Sequence, residues 1–97
     1  MLDITKVLTI ASYHVTKETA EKLSDKKWTC CHISIFDKGD YGWWIWIPED
    51  YWYYNIGVPK DLDACIKLAI KHGCTWLCLD CDAMEAEELP FYDWEIS

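Results

Sequence analysis

The sequence predicts an α+β fold in which six elements follow one another as β-α-β-β-α-β, the split, ferredoxin-like arrangement. Two observations support this prediction: short apolar, β-branched runs alternate with two helical stretches, and a tight Lys38-Gly39-Asp40 connection joins the middle two strands. In this fold an antiparallel four-stranded sheet, ordered four, one, three, two, carries two helices on one face. The chain of 97 residues is long enough for one domain. We therefore predict a single domain over 1–97, with an acidic, aromatic C-terminal segment over 79–97.

The first half supplies two strands and one helix. Residues 6–12 (KVLTIAS) are apolar and β-branched, as in a buried strand. Thr16 offers a capping hydroxyl and Glu18 a first-turn carboxylate, which predicts a helix from Thr16 to about Ser24. Residues 31–37 alternate in polarity and predict the second strand.

The second half completes the pattern. Residues 41–47 predict a third strand that forms a hairpin with the second. Pro59 precedes a helix predicted over 60–71, and Gly73 stands just beyond its end. Residues 75–79 predict the fourth strand.

The charge is unevenly distributed along the chain. The formal net charge is -8, and no lysine follows Lys71. The chain has no arginine, the usual bidentate reader of phosphates and guanine edges, so direct nucleic-acid binding is not expected. One-sided negative charge favours a basic protein partner and opposes an anionic membrane. The predicted contact carboxylates are Asp80, Asp82, Glu85, Glu87, Glu88, Asp93 and Glu95.

Aromatic residues form a second candidate surface. Eight of the fourteen residues in 41–54 are aromatic. On the third strand Tyr41, Trp43, Ile45 and Ile47 share one face, and Trp44 and Trp46 share the other. One of the two faces must pack under the helices, which leaves large aromatic side chains on the opposite face. We expect that face to be covered by Phe91 and Trp94 or to bind a partner. Trp52, in the loop that follows, is assigned to the same partner-binding set.

Four segments of the sequence resemble a known family: SYHVTKETA (12–20), KGDYGW (38–43), GCTWLCLD (73–80) and LPFYDW (89–94). The family consists of small acidic proteins of undefined function encoded on bacterial plasmids, integrative elements and phages. Where it tends to read Asp-Arg-Asp-Gly, this chain reads Asp-Cys-Asp-Ala over 80–83, which removes a basic residue. The resemblance implies a role against host defence.

Metal and catalytic sites have weaker support. An antiparallel first and fourth strand would bring His14 near His72 and Cys74, a candidate cluster for a metal-dependent hydrolase. The same topology would place Ser12 and His14 at the end of the sheet opposite to Asp80 and Asp82, which argues against a triad. The Asp80–Asp82 pair could hold magnesium but lacks a phosphate-binding loop. We predict no metal, no cofactor and no enzyme activity.

The six cysteines are predicted to be free thiols, because they lie in regular apolar stretches and the N-terminus lacks the apolar run of a secretory signal. No stretch is long enough to span a bilayer. We therefore predict a cytoplasmic protein, a monomer or a homodimer, in a bacterial host cell.

The predicted function is inhibition of a basic host protein, for example a nucleic-acid-binding defence complex, by an anti-CRISPR-like mimic whose carboxylates replace phosphates. Two alternatives remain open: an accessory protein that binds a partner or itself through the aromatic face, and the metal-dependent hydrolase.

Overall fold

A computed structural model describes residues 4–25, 27–28, 33–53 and 57–94. It confirms a small α+β fold with a four-stranded sheet and two helices in the predicted order. Two short 3-10 turns, Ser12–His14 and Gly39–Tyr41, connect elements. The elements are β1 (Val7–Ala11), α1 (Lys17–Ser24), β2 (Ser34–Asp37), β3 (Gly42–Trp46), α2 (Lys60–Lys71) and β4 (Trp76–Asp80). In the described part of the chain, neither helix has the length and apolarity needed to cross a bilayer.

The strand order differs from the ferredoxin-like prediction. The order is β1-β4-β3-β2, and the sheet is mixed: β4 pairs parallel to β1 and antiparallel to β3. The predicted antiparallel sheet with β1 in the centre is therefore wrong. The physical reason is visible in β4, where Leu77, Cys78 and Leu79 are all buried, as expected of a central strand covered on both faces. In β1, by contrast, Val7 is exposed.

Both helices pack on one face of the sheet, as predicted. Leu23 of α1 and Leu62 and Ile66 of α2 share a buried cluster with Ile45 and Leu77. Ile45 and Leu77 are direct cross-strand partners. Alternation along the strands then turns Trp44, Trp46 and Trp76 to the opposite face.

The N-termini of the two helices meet at one carboxylate. Asp61, in the first turn of α2, accepts hydrogen bonds from the Thr16 backbone N–H at 2.6 Å and from the Thr19 hydroxyl at 2.9 Å. Thr16 is also the N-cap of α1, since its side chain accepts from the Thr19 N–H at 3.2 Å. Burial alone would raise the pKa of Asp61, but the hydrogen bonds from Thr16 and Thr19 outweigh it and lower that pKa.

Gly42 lets β3 and β4 approach closely. Its φ is +150°, and a Cβ at this position would lie 1.7 Å from the Leu79 carbonyl oxygen. Only glycine fits here. The close approach aligns Gly42 with Asp80, at the end of the sheet from which the C-terminal segment starts.

Candidate protein-binding surfaces

The C-terminal segment (residues 81–94) returns along the end of β1 and the 3-10 turn that follows it. The Ala11 N–H donates to the Met84 carbonyl at 3.0 Å, and the Tyr92 N–H donates to the Tyr13 carbonyl at 2.8 Å. Near the end of the segment, the Trp94 Nε1–H donates to the Val15 carbonyl at 2.9 Å. The segment is therefore fastened to the domain along its length.

His14 makes the central attachment. Its side chain is buried, with 1% of its surface exposed. Nε2 accepts a hydrogen bond from the Ala86 N–H at 2.8 Å, and Nδ1 lies 2.8 Å from the Pro90 carbonyl oxygen. Because a carbonyl oxygen cannot donate, Nδ1 carries the proton, and the imidazole is held in its neutral Nδ1–H form.

Part of the apolar surface of the segment faces the core, whereas Met84 and Phe91 are exposed. Ala86, Leu89 and Trp94 pack against the buried cluster. The Tyr13 ring centroid lies 4.7 Å from that of Trp94 and 5.6 Å from that of Phe91. The expectation that Phe91 and Trp94 cover Trp44 or Trp46 is thus wrong, because the parallel β1–β4 pairing delivers the segment to the 3-10 turn.

The carboxylates divide into two groups. Asp80 is engaged within the protein: Oδ2 pairs with the Lys38 Nζ at 2.6 Å and Oδ1 accepts from the Asp82 N–H at 2.8 Å. The hydrogen bond from Lys38 holds the pKa of Asp80 below its ordinary value. Glu95 lies outside the described residues. The exposed carboxylates are those of Asp82, Glu85, Glu87, Glu88 and Asp93.

The aromatic sheet face consists of Phe36, Trp44, Trp46 and Trp76. Phe36 and Trp46 are 51% and 38% exposed. The Phe36 and Trp76 ring centroids are 5.8 Å apart, and the Lys38 Nζ lies 4.8 Å from the Trp44 ring centroid. Lys38 therefore links the edge of this face to Asp80, a connection that the sequence analysis missed.

Trp52 does not join these tryptophans on the sheet. It is 55% exposed, and the Lys67 Nζ lies 5.4 Å from its ring centroid. The cleft beside it is lined by residues that include Gly73 and Thr75, so it lies at the end of β4 opposite to Asp80.

The candidate His14–His72–Cys74 cluster does not form. Parallel pairing places His14 just beyond the carboxyl end of β1, whereas His72 and Cys74 precede the amino end of β4. Among the described residues, the group with metal-ligand spacing is Asp80–Cys81–Asp82, whose ligand atoms lie within 4.8 Å of one another. Asp80 accepts from the Lys38 Nζ and from the Asp82 N–H, so its carboxylate acts as an ion-pair partner and a turn cap.

The predicted separation of Ser12 and His14 from Asp80 is also wrong. Ala11 pairs directly with Asp80, so Ser12 and His14, which follow Ala11, lie at the same end of the sheet as Asp80. Both ring nitrogens of His14 are nevertheless bound to backbone groups. In this arrangement His14 offers Ser12 no nitrogen to accept its proton.

The described cysteines are free: Cys65, Cys74 and Cys78 are buried, and Cys81 is partly exposed. Burial, reinforced by the charge of Asp61, raises the pKa of Cys65 to about 12, which makes it an unreactive core thiol. Cys30, Cys31 and His32 lie outside the described residues, as does the start of the predicted second strand.

Comparison with known proteins identifies a family and no activity. No curated protein and no solved structure matches the chain. A family described as the C-terminal domain of a family of unknown function, DUF5983, matches residues 7–94, which include every element of the fold and the fastened C-terminal segment. The chain belongs to the DUF5983 C-terminal domain family.

Proposed function

We propose that this chain is a non-enzymatic protein-binding module whose acidic C-terminal segment docks on a basic partner. One observation carries the proposal: the segment is fastened by backbone bonds and by His14, while Asp82, Glu85, Glu87 and Glu88 remain exposed. A fastened segment presents its carboxylates with less conformational entropy to lose on binding than a free tail does.

The electrostatics favour the same role. The nearest paired lysine, Lys38, is neutralised by Asp80, and no lysine or arginine follows Lys71. The four carboxylates therefore create a local negative field that accelerates encounter with a positive surface.

We further propose that the partner's basic surface is a nucleic-acid channel, so that the carboxylates take the place of phosphates. This is the mode of an anti-CRISPR-like inhibitor of a host defence complex, encoded by a mobile element in a bacterial cell. The charge distribution and the family resemblance support it.

The test begins with a pull-down from host lysate and continues with affinity measurements on the partner. The decisive variant combines D82N, E85Q, E87Q and E88Q and leaves Asp80 with Lys38. A matched control, which combines E18Q, E21Q, D40N and E49Q, removes the same charge from exposed positions elsewhere.

We expect the segment variant to lose at least about tenfold in affinity, mainly through a slower association rate, and the control to lose much less, since charges beyond about 8 Å are screened at physiological salt. Nucleic acid should compete with the wild type. Equal losses of affinity in both variants would show that only the net charge matters, which contradicts docking through the segment. If nucleic acid fails to compete, the phosphate mimic is rejected.

A second candidate function is self-association through the aromatic sheet face, supported by the exposure of Phe36 and Trp46. The occupant is a second copy of this chain, because the described residues of this face carry only the neutralised Lys38–Asp80 pair and bring no like charges together. Sedimentation of the wild type should then show a dimer that F36K dissociates. A wild-type monomer at about 100 μM would reject this candidate.

A further inference from the structure

We infer that docking of the C-terminal segment on the domain depends on the protonation state of His14. The two hydrogen bonds between the His14 ring and the segment act as a latch. The inference uses the proposed function only for its consequence, since the docking of the segment can be measured without a partner. The structure holds one buried imidazole between two backbone groups of the same segment, Ala86 and Pro90.

The hydrogen-bond inventory makes this attachment depend on charge. A neutral imidazole has one donor and one acceptor nitrogen, whereas the imidazolium has two donors. Protonation would place an N–H at Nε2, opposite to the Ala86 N–H, and would replace an attraction with a repulsion between two donors. The docked segment therefore excludes the proton, whereas an undocked segment leaves His14 free to bind it.

The groups around His14 do little to stabilise a positively charged ring. The His14 ring meets Phe91 edge-on, with centroids 5.9 Å apart, and Cys65, whose Sγ lies 3.8 Å from the His14 carbonyl oxygen, stays neutral because its pKa is raised to about 12. The oxygens of Asp61 are engaged by Thr16 and Thr19. The other titratable groups of the described elements packed around His14 are Tyr13, Glu85, Glu87, Glu88, Tyr92 and Asp93; the glutamates and Asp93 are exposed, so solvent screens them.

The direction of the effect follows from proton counts. The docked state binds fewer protons than the undocked state, so docking is favoured at high pH and weakens as pH falls. An exposed imidazole is half-protonated at about pH 6.5. If the docked state excludes the proton, the docking equilibrium constant falls about 30-fold between pH 8 and pH 5.

The consequence for the proposed function is specific. The latch holds Ala86, which lies between Glu85 and Glu87, so acidification would release the carboxylates from their fixed positions. A partner that needs those positions would then bind less tightly, because part of its binding free energy would go into ordering the segment.

The experiment follows amide hydrogen exchange and the imidazole nitrogens of the full chain by NMR between pH 8 and pH 5. At pH 8 the His14 nitrogens should show the Nδ1–H tautomer. After correction for intrinsic exchange rates, protection of the Ala86 and Tyr92 amides should fall about 30-fold more than that of Ile66, which lies inside α2 and reports on the whole fold.

Two variants separate the latch from general acid effects. H14Q, which cannot take up a proton in this range, should abolish the differential pH dependence. H72Q changes an exposed histidine and should leave that dependence intact. An Nε2–H tautomer in the wild type, equal losses of protection at Ala86 and Ile66, or a wild-type pH dependence in H14Q would each overturn the inference. Should H14Q fail to fold, the inference is still tested in the wild type by the His14 tautomer and by the loss of amide protection at Ala86 relative to Ile66. If the pH dependence is as expected but no partner binds the acidic segment, only the proposed function is rejected.

Discussion

The carboxylate that joins the two helix N-termini gives the sharpest stability prediction. D61N keeps the shape of the side chain but removes its charge, and its NH2 group replaces one of the two oxygens that accept from Thr16 and Thr19. A hydrogen bond to a charged group contributes about 1.5–3 kcal/mol. One bond keeps a neutral acceptor and is weakened, the other loses its acceptor, and Asp61 is partly solvent-exposed, so we expect a loss of about 2 kcal/mol.

For a chain of this length that loss corresponds to a decrease in Tm of about 8–16 °C. Thermal and urea unfolding followed by circular dichroism at pH 7 would measure it. E21Q, an exposed change on α1, should remain within about 0.5 kcal/mol of wild type. In a double-mutant cycle, T19V and D61N should show a clear coupling energy, because they share one hydrogen bond.

The pH dependence provides a further check. Burial opposes the ionisation of Asp61, but the hydrogen bonds from Thr16 and Thr19 outweigh it and hold the native pKa below its ordinary value. Its stabilisation is therefore fully present above that value and is lost as pH falls through the lower native pKa. The difference in the free energy of unfolding between wild type and D61N should become smaller in strong acid. A D61N protein as stable as wild type at pH 7, or one that shows no coupling to Thr19, would refute the reasoning.

Three further predictions concern packing. G42A should prevent folding or cost more than about 4 kcal/mol, because its Cβ would overlap the Leu79 carbonyl; near-native urea unfolding of G42A would contradict this. Alkylation followed by mass spectrometry should modify Cys81 before the three buried described cysteines in native protein, and all six cysteines after denaturation; fewer than six sites would reveal a disulfide or bound metal. W94F should cost about 1 kcal/mol in thermal unfolding, through loss of the Nε1–H bond to the Val15 carbonyl, and an unchanged Tm would reject Trp94 as an anchor.

Local sequence signals predicted the elements well. The helix predicted over 60–71 coincides with α2, and the Thr16 cap of α1 is present as expected. These features depend on neighbours a few residues apart: a capping hydroxyl, a proline before the helix, and Gly73 after it at a φ of +75°. Such features can be predicted from the sequence because the interactions that produce them are local.

The antiparallel β2–β3 hairpin was predicted correctly, because its strands are neighbours in the sequence. The direction of the β1–β4 pairing and the position of β1 were predicted wrongly, because they depend on contacts between distant residues. One signal was nevertheless available in the run Trp76-Leu77-Cys78-Leu79. A strand that is apolar on both faces belongs in the centre of a sheet, whereas Thr9 and the adjacent Lys6 suit β1 to an edge. That contrast favours β4 inside the sheet and β1 at its edge, which is the observed order.

The parallel pairing of β1 with β4 explains why the acidic segment and His14 meet. Parallel neighbours end on the same side of a sheet, so Asp80 at the end of β4 stands beside Ala11 at the end of β1. The chain that leaves β4 therefore passes the turn that leaves β1, and His14 is the side chain it meets. With β4 antiparallel to β1, as the ferredoxin-like prediction had it, the segment would begin at the other end of β1, far from that turn. The position of the carboxylates and their dependence on one imidazole are thus both consequences of the strand order.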